Sequence, residues 1–104
     1  MSLTFNGAKV QVDNRIKKTP KGYREDKKQL EKMTEEQKEI VQALTDYRNA
    51  PTEENLKKLK KEFGDELFAI FCLANKLDIN LDECFDLAMK DNEKKAKNDY
   101  KKEE

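Results

Sequence analysis

The sequence predicts an all-α fold, a helical bundle completed by oligomerisation. Apolar residues recur at helical spacing along two long segments, whereas no segment shows a convincing β-strand pattern. Charged residues make up 42% of the chain, which suits amphipathic helices with solvated outer faces. The 104 residues suffice for a single domain. Within it, residues 1–7 are expected to form a flexible lead-in and residues 99–104 a flexible tail.

Four helices are expected, over about residues 8–18, 25–49, 53–77 and 81–98. The pattern over 8–18 is weak and favours a helix over a strand. The first two are joined by a loop that contains Pro20 and Gly22. The second helix ends before Pro51, because proline drives the preceding residue out of the helical region. Thr52 then caps the third helix, and Asn80 caps the fourth in an Asn-x-x-Glu box.

Each of the last three helices has an apolar face that is expected to point inward. The inward residues are Leu30, Met33, Ile40, Leu44 and Tyr47, with Val41 at the edge, then Leu56, Leu59, Phe63, Leu67, Ile70, Ala74 and Leu77, then Leu81, Cys84, Phe85, Ala88 and Met89. From Leu67 to Ala74 every residue is apolar, so this stretch is expected to be buried on all sides. A subunit of this size offers few such places, which indicates burial against a second subunit.

Composition and charge exclude several classes of function. Lys+Arg and Asp+Glu both total 22, so no basic field marks a nucleic-acid-binding protein. There is no histidine, which removes Ser-His and Cys-His catalysis, and the spacing of Cys72 and Cys84 fits no zinc site. Both cysteines are expected to be free, buried thiols in a reducing cytoplasm. The sequence shows no signal-peptide core and no apolar run of membrane-spanning length, so a soluble cytoplasmic protein is expected.

Two pairs of carboxylates are the candidate metal ligands: Glu36 and Glu39 on the second helix, and Glu62 and Asp65 on the third. Residues three apart project from adjacent turns of one helix face, so pairs on facing antiparallel helices can converge on one hard cation such as Mg²⁺. Glu36 lies roughly 40° around the helix from Ile40, within the apolar face. Carboxylates on buried faces need a partner or a metal. The alternative is a salt-bridged helix surface that uses the abundant lysines.

Gly64 lies inside the second pair of carboxylates. A glycine within a helix costs about 1 kcal/mol relative to alanine. Its presence is explained if another helix or a ligand comes close at that point, and the alternative is a tolerated weak position in the helix.

The segment EEQKEIVQAL, followed by KKEFGDELFAIFCLANKLDINLDECFDLAMKDNEKK, resembles the MazG-type nucleoside triphosphate pyrophosphohydrolases. The resemblance covers roughly residues 10 to 98 and includes both carboxylate pairs, Gly64, the apolar run and Asn92 in order. It implies an all-α bundle completed as a homodimer or homotetramer. It also implies that the carboxylates bind Mg²⁺, with Mn²⁺ as the other candidate, and that water attacks the α-phosphorus of a nucleoside triphosphate to release pyrophosphate.

The resemblance also implies roles for individual residues. The metal ligands of the family are matched by Glu36, Glu39, Glu62 and Asp65. Among them, Glu39 is a candidate for the base that orients or deprotonates the water. The polar substrate-contacting positions are matched by Asn92 and by Lys94 or Lys95. Lys58, one turn before the second pair, could reach the triphosphate. On the first helix, Phe5, Val10, Val12 and Ile16 either belong to the core or line a base pocket.

Two residues near the carboxylates depart from the family pattern, and the last helix has lysines where relatives often have arginine, which loses bidentate phosphate contacts. Lys38 stands where the first pair usually has a glycine, and it either competes with the metal for a carboxylate or turns outward. Lys61 stands directly before the second pair, where an acidic residue is frequent. Lys61 also belongs to a run with Lys57, Lys58 and Lys60, which is either a solvated helix face or a rim that attracts phosphate.

The expected function is Mg²⁺-dependent hydrolysis of (d)NTPs at the α–β phosphate bond to (d)NMP and pyrophosphate, in housecleaning of the nucleotide pool. Two alternatives stay open. One is a non-catalytic helical interaction module that keeps the fold, which Lys38 favours. The other is a dUTP- or dCTP-directed diphosphatase of the same superfamily. Neither nucleic acid nor a membrane is expected as a partner.

Overall fold

The computed structural model describes residues 4–103 of the chain, with side chains for residues 4–97. It contains four α-helices, which are α1 (Phe5–Ile16), α2 (Asp26–Asn49), α3 (Glu53–Leu77) and α4 (Leu81–Glu103). No strand occurs among the described residues, so the all-α prediction is confirmed. Residues 1–3 and residue 104 lie outside the described residues, and the predicted flexibility of the two chain ends stays a prediction.

Two helices extend beyond their predicted bounds. α1 begins at Phe5, inside the expected lead-in, because Thr4 caps it by accepting a 2.9 Å hydrogen bond from the backbone N–H of Gly7. The carboxylate of Asp82 also accepts hydrogen bonds from the first N–H groups of this helix, those of Phe5 and Asn6, at 3.3 and 3.4 Å. α4 continues to Glu103 rather than ending near residue 98.

α2 and α3 form an antiparallel helical hairpin that is the frame of the molecule. α2 ends at Asn49, and Ala50 before Pro51 is extended, as predicted. Thr52 caps α3 by accepting a 3.1 Å hydrogen bond from the backbone N–H of Asn55. The side chain of Asn55 in turn donates to the carbonyl of Ala50 at 2.9 Å, which closes the connection. This short link sets the register that brings the acidic residues of the two helices together.

The turn from α3 to α4 also follows the prediction. Asp78 is the C-cap of α3 and adopts the left-handed conformation with φ 54°, and the N–H of Ile79 bonds to the carbonyl of Ala74 at 2.9 Å. The side-chain oxygen of Asn80 accepts a 3.0 Å hydrogen bond from the N–H of Glu83, which confirms its capping role. From this turn α4 runs alongside α1, where the rings of Phe5 and Phe85 lie 5.2 Å apart.

The core of the single chain is thin and consists mainly of small side chains. The buried apolar residues are Val12, Ala43, Leu59, Ala69, Cys72 and Ala74. The radius of gyration is 17.0 Å, whereas a compact chain of this length would have about 13 Å. The four helices therefore form an open arrangement and do not enclose a common interior.

Several predictions of inward-facing residues are wrong for the single chain. Leu30, Leu44, Phe63, Leu67 and Leu77 are exposed, as are Cys84, Phe85, Ala88 and Met89 on α4. The reason is geometric, because α2 packs on α3, α1 packs on α3, and α4 packs on α1, so one side of every helix, α3 included, is left uncovered. The prediction of a free, buried thiol is confirmed for Cys72; the thiol of Cys84 is free but exposed.

None of the described helices combines the length and the apolar character that crossing a membrane requires.

Candidate metal centre

The antiparallel pairing of α2 and α3 brings three of the four candidate carboxylates into one cluster. Glu36 on α2 faces Glu62 and Asp65 on α3, and one oxygen from each lies within 4.8 Å of the others. Glu36 is only 3% exposed, whereas Glu62 and Asp65 are half-buried. Three carboxylate oxygens at this separation repel one another unless a proton or a cation lies between them.

Glu39 lies at the exposed edge of this cluster rather than inside it. Its carboxyl group is hydrogen-bonded to Glu62, and this bond, together with desolvation and the negative charge of Glu36, raises the pKa of Glu39 to about 7. Glu39 is thus protonated at mildly acidic pH in the cation-free chain. All four predicted carboxylates therefore belong to one electrostatic unit.

Two buried oxygens of the cluster lack hydrogen-bond partners. One oxygen of Glu36 accepts a 2.8 Å bond from the ammonium of Lys32, but its Oε2 is buried and unpaired among the described residues. The Oε2 atom of Glu62 is in the same state. A buried carboxylate oxygen without a partner is costly, and a hard divalent cation with oxygen ligands removes that cost. The donor set therefore fits Mg²⁺ or Mn²⁺.

A cleft of about 210 Å³ opens beside the cluster. Its lining consists of Glu39, Gln42, Ala43, Asp46, Asn55, Lys58 and Glu62. Lys58 thus shares one cleft with two of the carboxylates, and its ammonium, 3.6 Å from a carboxylate oxygen of the exposed Glu54, is only loosely paired. The arrangement places a cation site and an exposed, weakly paired lysine on the same wall, which suits an anionic ligand bound through a metal.

Sequence reasoning missed the contacts of three charged residues at this site, of which it had named only Lys61. Lys32 pairs with Glu36, and Lys61 pairs with Asp65 at 3.0 Å. Both lysines precede their partners by four residues, so helical spacing could have revealed them. The third is Glu66, whose Oε2 is also buried and unpaired among the described residues. It follows Glu62 by four residues on the same face of α3, which was the available signal.

Lys38, the departure that favoured a non-catalytic protein, turns away from the cluster. It is exposed and lies on the outer surface of α2 beside Leu30, Thr34 and Glu35. None of the ion pairs found among the described residues involves it. Of the two alternatives for Lys38, the structure shows the outward orientation.

The predicted substrate-contacting residues of α4 are not brought to the cluster within one chain. Asn92, Lys94 and Lys95 are exposed, and Lys95 forms an ion pair with Asp91 at 2.9 Å. The principal packing contact of α4 is with α1, and none of these three residues lines the cleft beside the carboxylates. A single chain therefore presents the cation site and the α4 lysines as separate surfaces.

No part of the described chain approaches Gly64 closely. A Cβ atom built at this position would have no other atom within 4 Å. Gly64 borders an open groove of about 370 Å³ between α1 and α3, which is lined by apolar residues such as Val12, Leu67 and Phe71. The close approach that a helical glycine suggested is absent from the single chain.

Comparisons with known sequences and structures agree on one protein family. The MazG nucleotide pyrophosphohydrolase domain matches residues 24–99. The uncharacterized protein YpjD of Bacillus subtilis (strain 168) is 34% identical over 89 residues, which are 83% of this chain and 80% of YpjD.

Two crystal structures share the fold. The Bacillus-conserved MazG protein, a nucleotide pyrophosphohydrolase, superimposes with a TM-score of 0.74 at 26% identity, covering 86% of this chain and 89% of that one. YpjD from Bacillus subtilis superimposes with a TM-score of 0.74 at 29% identity, covering 89% and 98%. The match over most of the chain, together with the carboxylate cluster, shows that this protein belongs to the MazG nucleotide pyrophosphohydrolase family.

Proposed function

We propose that this protein is a Mg²⁺-dependent pyrophosphohydrolase that cleaves (d)NTPs between the α- and β-phosphates, yielding (d)NMP and pyrophosphate, in housecleaning of the nucleotide pool. The observation that carries the proposal is the pair of buried, unpaired oxygens on Glu36 and Glu62 beside Asp65. Such an arrangement is unfavourable for a purely structural cluster and favourable for a divalent cation. Membership in the MazG family is the reason for proposing a nucleotide as the substrate.

The four carboxylates hold the cation in this proposal: Glu36, Glu39, Glu62 and Asp65. A bound Mg²⁺ neutralises phosphate charge, polarises the α-phosphoryl group and makes a nearby water more acidic. Glu39 is the proposed base, because its carboxylate belongs to the cluster and can orient or deprotonate a water held there. Its position at the exposed edge of the cluster leaves it accessible to water and substrate.

Lys58 is proposed to bind the triphosphate. It lines the cleft beside Glu39 and Glu62, so its ammonium can stabilise negative charge on the departing pyrophosphate. The contacts expected of Asn92, Lys94 and Lys95 require another source, since α4 packs mainly on α1, and we assign them to the α4 of a second copy. The base preference, including one for dUTP or dCTP, is left to a substrate panel because the carboxylates do not contact the base.

A homodimer or homotetramer is the proposed functional form. Phe63 and Leu67 on α3 and Phe85 on α4 are between 45% and 54% exposed, and the apolar groove between α1 and α3 lies beside them. Exposed apolar area of this kind marks an interface, and a second copy of the chain covers it without introducing a new partner. The two free thiols fit a reducing cytoplasm.

The proposal is tested by pyrophosphate release from the common (d)NTPs, including dUTP and dCTP, with and without Mg²⁺. We expect Mg²⁺-dependent release by the native chain, and a loss of about 10²-fold or more in Glu39→Gln. Glu31→Gln is the matched control, because Glu31 is exposed on the same helix outside the cluster. Solution mass measured on the same samples gives the oligomeric state. Release equal to that of Glu39→Gln with every nucleotide would favour the non-catalytic module.

A further inference from the structure

The pair between Lys61 and Asp65 places a positive charge at the edge of the carboxylate cluster. The ammonium of Lys61 lies 3.0 Å from Oδ2 of Asp65, whose other neighbours in the cluster are Glu36 and Glu62. A lysine ammonium ion keeps its charge throughout the physiological pH range, so Lys61 remains attracted to the cluster. In the cation-free chain, this lysine partly compensates the charge that a divalent cation would balance.

The Lys61–Asp65 ion pair is exposed to solvent and therefore weak, unlike the ion pair between Lys32 and Glu36. The side chains of Lys61 and Asp65 are 72% and 38% exposed, whereas the Glu36 side chain held by Lys32 is only 4% exposed. An exposed lysine–carboxylate pair shifts an equilibrium by about fivefold at most. A divalent cation coordinated by several carboxylates would bind Asp65 more strongly than Lys61 does. Binding of the cation would therefore release the ammonium of Lys61.

The position of Lys61 on α3 brings it close to the lysine that is proposed to bind the triphosphate. Lys61 lies one turn from Lys58 on α3, and Lys58 lines the cleft that also contains Glu39 and Glu62. We propose that Lys61 is a displaceable counter-ion, which holds Asp65 while the cation is absent and binds phosphate oxygens of the nucleotide once a divalent cation takes that carboxylate. The second half of this proposal rests on the proposed function, because it needs a phosphate ligand.

The exchange makes cation binding and phosphate binding cooperative. The cation must displace Lys61 when it binds alone, and the phosphate provides the displaced ammonium with a new ion pair. By linkage, each ligand then strengthens the binding of the other by the same factor. Lys61 therefore opposes the cation in the absence of phosphate and supports the complex in its presence. A residue that only stabilises the fold would not produce opposite signs in these two states.

The test measures Mn²⁺ binding to the full chain by the electron paramagnetic resonance signal of free Mn²⁺, and pyrophosphate binding by calorimetry at saturating Mn²⁺. In Lys61→Met we expect Mn²⁺ alone to bind about two- to fivefold more tightly, and pyrophosphate to bind about fivefold more weakly. Lys60→Met is the matched control. It removes the same charge from the neighbouring position, roughly 140° around the helix from Asp65, and Lys60 makes none of the ion pairs found in the described chain. We expect it to change neither affinity appreciably.

Three results would overturn the proposal: weaker Mn²⁺ binding in Lys61→Met, unchanged pyrophosphate binding in that variant, or equal effects of the Lys61 and Lys60 substitutions. These outcomes are separable from failure of the proposed function. If the native chain releases no pyrophosphate from any (d)NTP while the two affinities of Lys61→Met move in opposite directions, the counter-ion role stands and the hydrolytic assignment falls.

Discussion

Removal of one charge from the cluster should stabilise the cation-free protein, and Glu62→Gln is the variant that tests this. The three cluster oxygens lie within 4.8 Å of one another. At an effective dielectric constant of about 20, two unit charges at that separation repel by about 3.5 kcal/mol. Lys32 and Lys61 offset part of this repulsion, and Glu62 is half-buried rather than fully buried. We therefore expect the free energy of unfolding to rise by about 1–2 kcal/mol in the variant.

At saturating Mg²⁺, the native chain should be more stable than Glu62→Gln, the reverse of their order without the cation. A ligand that binds only the folded state at a hundredfold its Kd adds about 2.7 kcal/mol to the free energy of unfolding. Glu62→Gln, which has lost one ligand, should gain much less. The assay is urea unfolding followed by far-UV circular dichroism, once with EDTA and once with Mg²⁺. Glu31→Gln is the control for removing an exposed acid. Lower stability of Glu62→Gln in EDTA, or equal gains from Mg²⁺, would refute the reasoning.

Three further predictions address other parts of the molecule. The pKa of Glu39 is raised from 4.5 to about 7, so the folded cation-free chain holds an extra proton between these two pH values. Through this group, the free energy of unfolding therefore falls as the pH rises through that window. In EDTA, the urea midpoint of Glu39→Gln should depend less on pH than that of the native chain. Gly64→Ala should raise the free energy of unfolding by about 1 kcal/mol, since its methyl group meets no atom within 4 Å; a loss would reveal another surface packed there in solution. Asn80→Ala should lower the free energy of unfolding by about 1 kcal/mol, measured by thermal or urea unfolding, because the Asn80 side-chain oxygen caps α4 and also accepts a hydrogen bond from Asn6. Asn80→Asp should retain most of the stability.

The connections from α2 to α3 and from α3 to α4 were predictable because they depend on neighbours in the chain. The break before Pro51 and the caps at Thr52 and Asn80 involve contacts over three or four residues, and the structure contains them as predicted. The first helix was placed too late, partly because the local cap at Thr4 was overlooked. Its start is stabilised by Asp82, which is more than seventy positions away in the chain, and no local pattern reports that contact.

Helix geometry alone was enough to predict that the carboxylates of α2 and α3 converge. Spacing put Glu36 on the apolar face of α2 and gave Glu62 and Asp65 a common face on α3, and a hairpin with a short link makes the two faces meet. Position within the cluster was not predictable. The exposure of Glu39 and the burial of an oxygen of Glu66 depend on how the two helices are rotated against each other.

The sequence by itself determined an all-α chain with two acidic faces, because helical periodicity and caps are local properties. Only the tertiary structure decided which charges compensate those acids and which apolar residues stay uncovered. Lys38 turns outward while Lys32 and Lys61 hold the carboxylates, a choice among many lysines that rests on distances between side chains. Exposed residues such as Leu67 look like core in the sequence, because a pattern shows that a side chain avoids water but not which surface covers it.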